Sequence, residues 1–278
     1  MKKTRIDIFL AQGGLSQSRE KARREIVAGW VKVDGETVTD PSRTVAGTER
    51  ITVERPGGLY VSRGGQKLKS AIDRFGIVLA GRTAADLGAS TGGFTDCMLK
   101  EGAARVYAVD VGYGQLDYAL RKDPRVAVME KTNVRALTRA HFPGAVDFFA
   151  ADLSFISIVK AFDAIRDAFS PAEGVILIKP QFEAGPGDHK KGVVRKPEAH
   201  REILARVLAA LAEKGMALKG LTHSPIRGPK GNIEFLAHCS AGESVPAALP
   251  DGIDSLISDV VAEAHRSFDA APGDDEAE

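Results

Sequence analysis

Cysteine is scarce in this chain of 278 residues: only Cys97 and Cys239 occur, far apart in sequence. They match no metal-ligand spacing, so no metal is expected, and they point to two reduced thiols in a cytoplasmic protein. Long apolar runs are missing as well. No segment approaches the roughly 20 apolar residues needed to span a bilayer. The N-terminal MKKTRIDIFLAQGG opens on a basic cluster, but it lacks the sustained apolar stretch and cleavage pattern of a secretory signal. A secreted or membrane-spanning protein is therefore not expected. A large net charge is absent too, at +1 overall. Nothing in the pattern points to a particular oligomeric state.

What is present is 44% hydrophobic residues, enough for one sizeable core plus a small module. The charge is unevenly spread. Residues 1–69 hold 14 Lys/Arg against 8 Asp/Glu, whereas residues 251–278 hold one Arg against 9 acids. A basic head suits a polyanionic partner, although a merely solvated surface competes with that reading. Ser16 or Ser18 can cap a helix from about Arg19 to Ala28 that stops at Gly29. That helix carries Arg19, Lys21, Arg23 and Arg24, which with Arg5, Ser18 and Lys32 form the candidate RNA-binding set. Val31 and Val33 then alternate with Lys32, and Asp34-Gly35 is a hairpin turn signal.

From about Thr83 short apolar runs alternate with helical stretches. The runs are 83–87, 106–111, 126–130, 146–153 and 174–179. Helices are predicted near 92–101, 114–121, 158–169 and 197–214. This alternation predicts an α/β fold with a parallel sheet covered on both faces. Two more runs, 217–223 and 233–239, are separated by SPIRGPKGN, which is too poor in apolar residues for a crossover helix. The last strand is therefore expected to be antiparallel. A mostly parallel sheet ending this way is a Rossmann-like methyltransferase sheet, here behind a small N-terminal α+β domain. The expected organisation is an RNA-binding domain at 1–59, a linker at 60–66, the sheet domain at 67–268 and an acidic tail at 269–278.

The segment Asp86-Leu87-Gly88-Ala89-Ser90-Thr91-Gly92-Gly93-Phe94 follows the first strand of that sheet and opens a helix. Glycines let a ligand approach the backbone closely. Strand C-termini are where open α/β sheets bind ligands. A pyrophosphate site prefers G-x-G-x-x-G, and the acid before the first glycine here would repel pyrophosphate. It suits instead the ammonium of S-adenosylmethionine. Asp110, 24 residues on and followed by Val111, is placed for ribose hydroxyls, and Asn133 for the adenine. The competing reading is a tight turn that binds nothing.

Four polar residues converge by topology. Asp152 and Lys179 end the fourth and fifth strands. Glu234 begins the antiparallel last strand, and Lys67 begins a helix, about 64–75, that feeds the first. All four should share the ligand edge, with Asp152 also beside the cofactor. A ribose 2′-hydroxyl is a poor nucleophile while protonated. A lysine serves as its base only if desolvation or a second cation lowers its pKa. Lys67 is a candidate second cation for Lys179, with Asp152 and Glu234 orienting the pair. Structural ion pairs at strand ends are the competing reading.

These residues lie in stretches that carry a resemblance: YVSRGGQKL (60–68), DLGASTGGFTD (86–96), VDVGYGQL (109–116), DPRV (123–126), ADLSFIS (151–157), IKPQFE (178–183) and SPIRGPKGNIEF (224–235). The chain resembles the TlyA family of ribosomal RNA 2′-O-methyltransferases, also called haemolysin A. The resemblance implies an S4-type RNA-binding domain joined to an FtsJ-like methyltransferase domain. It implies a Lys-Asp-Lys-Glu tetrad at Lys67, Asp152, Lys179 and Glu234. It also implies methylation of cytidine ribose in 23S, and in some members 16S, ribosomal RNA, with RNA or ribosomal subunits as partners. A C-terminal helix, about 255–268, leans toward members that act on both. Two other functions compete: a pore-forming haemolysin, for which no amphipathic membrane helix is seen, and an RNA-binding module with a non-catalytic Rossmann domain.

Overall fold

The computed structural model describes residues 3–16, 18–54, 59–169, 172–185, 192–241 and 249–269. Gly57-Gly58, just ahead of the expected 60–66 linker, and the acidic tail beyond Asp269 lie outside them. In the N-terminal unit, β1 (Thr4–Arg5) leads into α1 (Ile6–Gln12) and α2 (Arg19–Val27). Next come β2 (Val31–Val33), β3 (Glu36–Val38), β4 (Thr44–Val45) and β5 (Ile51–Val53). β1 pairs with β4, and β3-β2-β5 form an antiparallel sheet. Ile6, Leu10, Ala22, Ile26, Val31, Val33, Val38 and Val45 bury themselves together as its core. Ser18, not Ser16, caps α2: its hydroxyl accepts from the Lys21 N–H at 3.1 Å. Asp34 and Gly35 both take positive φ, as a tight two-residue hairpin requires.

The larger unit begins with α3 (Gly64–Phe75), β6 (Thr83–Leu87), α4 (Gly93–Lys100), β7 (Arg105–Val109), α5 (Tyr118–Lys122) and β8 (Val126–Met129). It continues with β9 (Phe148–Ala151), α6 (Phe162–Phe169), β10 (Ala172–Ile178), α7 (Pro180–Glu183), α8 (Pro197–Glu213), β11 (Met216–His223), β12 (Phe235–Ala241) and α9 (Ile253–Asp269). The sheet order is β11-β12-β10-β9-β6-β7-β8. Strands β6 to β10 pair in parallel, and β12 runs antiparallel to both of its neighbours. Successive side chains alternate between faces. Phe148 and Val175 pack with α3 and α4 on one side; Phe149 and Ile176 pack with α6, α8 and α9 on the other. Winding runs from β6 outward to β8 and then returns to β9 beside β6. The crevice of the sheet therefore opens between β6 and β9.

Two expected helices are shorter than the pattern suggested. α5 starts only at Tyr118, because Gly114 takes φ +71° and the Asp117 carboxylate caps the helix by accepting from the Ala119 N–H at 2.8 Å. The stretch 158–169 divides into a 3-10 turn, Ile158–Lys160, and α6. The expected linker 60–66 runs straight into α3. The Tyr60 ring is buried against Gly65, where an added Cβ would stand 2.3 Å from it, and the Val61 N–H donates to Asp96 of α4 at 2.8 Å. Arg63 reaches across to the N-terminal unit and donates to Thr37 on β3 at 2.9 Å.

Candidate active site

The Gly-rich turn is shaped by backbone contact. Gly88 has φ +90°, and a Cβ there would meet the Asp152 carbonyl oxygen at 2.5 Å, so only glycine lets the β6 turn press against the end of β9. A Cβ on Gly93 would stand 2.2 Å from the Ser62 hydroxyl and 2.9 Å from the Gly65 nitrogen. That close approach of α4 to α3 sets Lys67 at the same edge. Within the turn Ser90 has φ +49°, while Thr91, Gly92, Gly93 and Phe94 are buried.

Asp86 is fully buried. One of its oxygens accepts from the Thr95 N–H at 2.8 Å and the Thr95 hydroxyl at 2.6 Å, bracing the first turn of α4. The other has no hydrogen-bond partner among the described residues. Burial pushes this carboxyl up to about 7, against the pull of Thr95. Asp110 ties the turn to the end of β7: it accepts from the Ser90 N–H at 2.8 Å and the Gly112 N–H at 2.6 Å. Beside it Val111 is 67% exposed, an apolar surface at a strand end. Asn133 caps a short 3-10 turn, accepting from the Arg135 N–H at 3.0 Å. Val111 and Asn133 also line a cleft of about 620 Å³, with Ser154, Phe155, Gln181 and Phe182 on its far side. An acid aimed at the turn, an apolar platform next to it and a buried carboxylate oxygen without a donor together fit the ribose, adenine and ammonium of S-adenosylmethionine.

The four converging residues meet as two ion pairs. The Lys67 ammonium donates to Glu234 at 2.5 Å. The Lys179 ammonium stands 2.5 Å from Asp152 and donates to the Ser154 hydroxyl at 2.9 Å. Lys67, Lys179 and Glu234 are buried, and Asp152 is half-buried. Burial disfavours the Lys67 charge, but Glu234 and then Asp152 outweigh it and hold the ammonium above its ordinary range. Asp152 is held below the usual carboxylate range: burial opposes this, and Lys179 and Lys67 override it. The short contact of each lysine is thus to a carboxylate rather than to the other lysine. Gly228 makes room for this arrangement, since a Cβ there would stand 2.2 Å from the Glu234 carboxylate.

Several contributors carry no charge and were not singled out from sequence. Asn232 is buried and staples the loop before β12. Its amide accepts from the Val194 N–H and donates to the Gly192 and Pro229 carbonyls, each at 3.1 Å. Ser154 shares Lys179, and Phe155 and Phe182 stand 5.4 Å apart at the cleft mouth. The only signal for them was membership of the stretches ADLSFIS, IKPQFE and SPIRGPKGNIEF.

In the basic head, two of the candidate arginines are engaged within the fold. Arg5 and Arg19 each stand 3.1 Å from Asp7, whose side chain is wholly buried. Lys32 pairs with Glu54 at 3.0 Å. Arg23 and Arg24 are exposed on α2, without an ion pair among the described residues. Lys21 is half-exposed on the same helix.

A strand order in which antiparallel β12 is inserted between β10 and β11 sets this sheet apart from all-parallel dinucleotide-binding sheets. With its acid-flanked turn, it makes the chain an S-adenosylmethionine-dependent methyltransferase. The chain belongs to the FtsJ-like methyltransferase family, whose model matches residues 60–240, and an S4 domain matches residues 4–51. It is 42% identical over 276 residues to a Bacillus subtilis protein named as an rRNA methyltransferase, YqxC, covering 96% of each chain. It is 44% identical over 237 residues to the 16S/23S rRNA (cytidine-2′-O)-methyltransferase TlyA of Mycobacterium tuberculosis, covering 84% of this chain and 88% of that one. A solved structure from Streptococcus thermophilus, a hemolysin by name, superposes with a TM-score of 0.76 at 39% identity, covering 97% and 98% of the two chains. No helix among the described residues is long and apolar enough to cross a membrane.

Proposed function

We propose that this chain methylates the 2′-hydroxyl of a cytidine in large-subunit ribosomal RNA, within the cytoplasm. The observation that carries the reading is the pair of lysine–carboxylate contacts, Lys67–Glu234 and Lys179–Asp152, with Ser154, which accepts from Lys179, lining the cleft. S-adenosylmethionine supplies an electrophilic methyl carbon on sulfur, which calls for in-line placement of the acceptor oxygen. Asp86, Gly88, Ser90, Thr91, Gly92, Gly93 and Phe94 would hold its methionine end, Asp110 its ribose, and Val111 and Asn133 its adenine. Lys179 faces the acceptor side with Ser154, and receives the 2′-hydroxyl proton or stabilises the developing alkoxide. Asp152 and Glu234 hold the two ammonium groups in place. The exposed ring of Phe155 gives the splayed acceptor base a stacking surface. The N-terminal unit, through Lys21, Arg23 and Arg24 foremost, contacts the phosphate backbone.

The test is to incubate ribosomal subunits with enzyme and cofactor and then hydrolyse both rRNAs with alkali. A 2′-O-methyl group blocks cleavage after its nucleotide, so a new resistant cytidine in 23S rRNA is expected. The same experiment reads 16S rRNA. A methyl group found on a base would overturn the assignment.

A further inference from the structure

The tetrad explains only the first halves of ADLSFIS (151–157) and IKPQFE (178–183). Their far ends are joined by a carboxylate. Glu183 accepts from the Ser157 hydroxyl at 2.6 Å and from the Ile158 N–H at 2.7 Å. That N–H opens the 3-10 turn Ile158–Lys160 and has no partner within it. At the near end, Lys179 stands 2.5 Å from Asp152 and donates to Ser154. Lys179 and Glu183 bracket α7, so one short helix grips the loop after β9 at both ends. The last residue of α7 is fixed in turn, because Arg206 of α8 donates to the Glu183 carbonyl at 2.8 Å.

Phe155 lies between the two grips. It is 90% exposed and has φ +65°, a costly conformation for a residue with a Cβ. Its ring is tilted 47° to that of Phe182, also on α7. A strained backbone that presents a bare aromatic ring to a cleft persists only where its surroundings over-determine it. The surroundings here are the two grips. Lys179 belongs to the reacting group, whereas Glu183 does not line the cleft and is left to hold the loop.

We propose that Glu183 is a positioning residue for the transfer: it holds the loop after β9 in the form that presents Phe155 to the acceptor nucleotide. This rests on the RNA-methylating reading above. It predicts an effect on the RNA side of the reaction only. The variants are Glu183→Ala, Glu183→Gln, Phe155→Ala and the Glu183→Ala/Phe155→Ala double. The readouts are kcat and KM for ribosomal subunits, calorimetric affinity for S-adenosylmethionine, and the melting temperature. Glu183→Ala should lower kcat/KM for the RNA about ten-fold, with cofactor affinity within about two-fold of wild type. Glu183→Gln should recover part of the loss, since its amide oxygen still accepts from Ile158. In the Phe155→Ala background, Glu183→Ala should add almost nothing. Losses that multiply in the double variant would overturn the proposal, as would a fall in cofactor affinity matching the fall in RNA turnover. If wild type bound the cofactor but methylated no RNA, the parent reading would fail instead.

Discussion

The ammonium of Lys67 donates to the carboxylate of Glu234 at 2.5 Å, across 167 positions of sequence. Two features of the fold bring them together: the glycine contact that presses α3 on α4, and the reversal of β12, which puts its first residues at the C-terminal edge of the parallel strands. Both groups have left water, so each depends on the other. Lys67→Met should cost about 3–5 kcal/mol, because Glu234 is left charged and buried without its partner. Glu234→Gln should cost a similar amount. The double variant should recover much of that loss, and urea denaturation of the four proteins measures the cycle. Additive losses would mean that the two charges do not depend on each other.

Asp7 separates the arginines engaged within the fold from those proposed to contact RNA. Its carboxylate is wholly buried between Arg5 and Arg19. Arg19→Ala should cost about 1–2 kcal/mol, less than a buried pair because Arg19 is 55% exposed. The Arg23→Ala/Arg24→Ala variant should leave stability unchanged, weaken RNA binding and flatten its salt dependence. Thermal melts and filter binding across a salt series distinguish the two. If the double variant binds RNA with the wild-type salt slope, that face of α2 is merely solvated.

The convergence of Lys67, Asp152, Lys179 and Glu234 was legible because periodicity locates strand ends and topology decides which ends share an edge. Which carboxylate each lysine takes was not legible. Lys179 faces Asp152, just after the adjacent strand, and Lys67 faces Glu234, through side-chain geometry that no spacing encodes. The sequence reading had the two carboxylates orienting a lysine pair; in the structure each lysine makes its short contact to its own carboxylate. Asp7 was missed for the same reason, since its pairing with Arg19 is set by the packing of α1 on α2. The glycines of the turn were read as room for a ligand. Gly88 and Gly93 are needed first for contacts with Asp152 and Ser62. Phe155 had no marker, because a positive φ outside glycine leaves no trace in residue type.

Lys179 carries the proposed chemistry. Lys179→Ala should abolish methyl transfer while S-adenosylmethionine affinity stays nearly intact, since the proposed role of the residue is on the acceptor side. Lys179→Arg preserves the positive charge beside Asp152 but cannot release a proton near neutrality. It should also fail if Lys179 is the base. Single-turnover methylation across roughly pH 6 to 9 is the measurement. Retained activity in the arginine variant would reduce Lys179 to an orienting cation, and retained activity in the alanine variant would dismiss the tetrad.

Asp86 predicts a pH dependence of stability with a definite sign. Burial pushes its carboxyl up to about 7, from an ordinary value of 3.8. Between those values the folded chain keeps a proton that the unfolded chain has lost. The stability this group contributes is therefore full below about pH 4 and is lost as pH rises to about 7, by ~4 kcal/mol in all. Asp86→Asn has no such transition and keeps an oxygen for Thr95. Without cofactor, the variant should gain on wild type by about 1 kcal/mol per pH unit from 5 to 7 and run parallel above that. Urea denaturation at each pH gives the difference, and parallel curves throughout would mean that Asp86 is ionised in the fold. The same carboxyl links stability to the proposed cofactor site. If it receives the methionine ammonium, binding must favour its charged form. Near pH 6, S-adenosylmethionine should then release a proton, and the calorimetric heat should vary with the ionisation enthalpy of the buffer. Asp86→Asn should abolish that variation. A wild-type heat that does not change with the buffer would confine Asp86 to bracing α4.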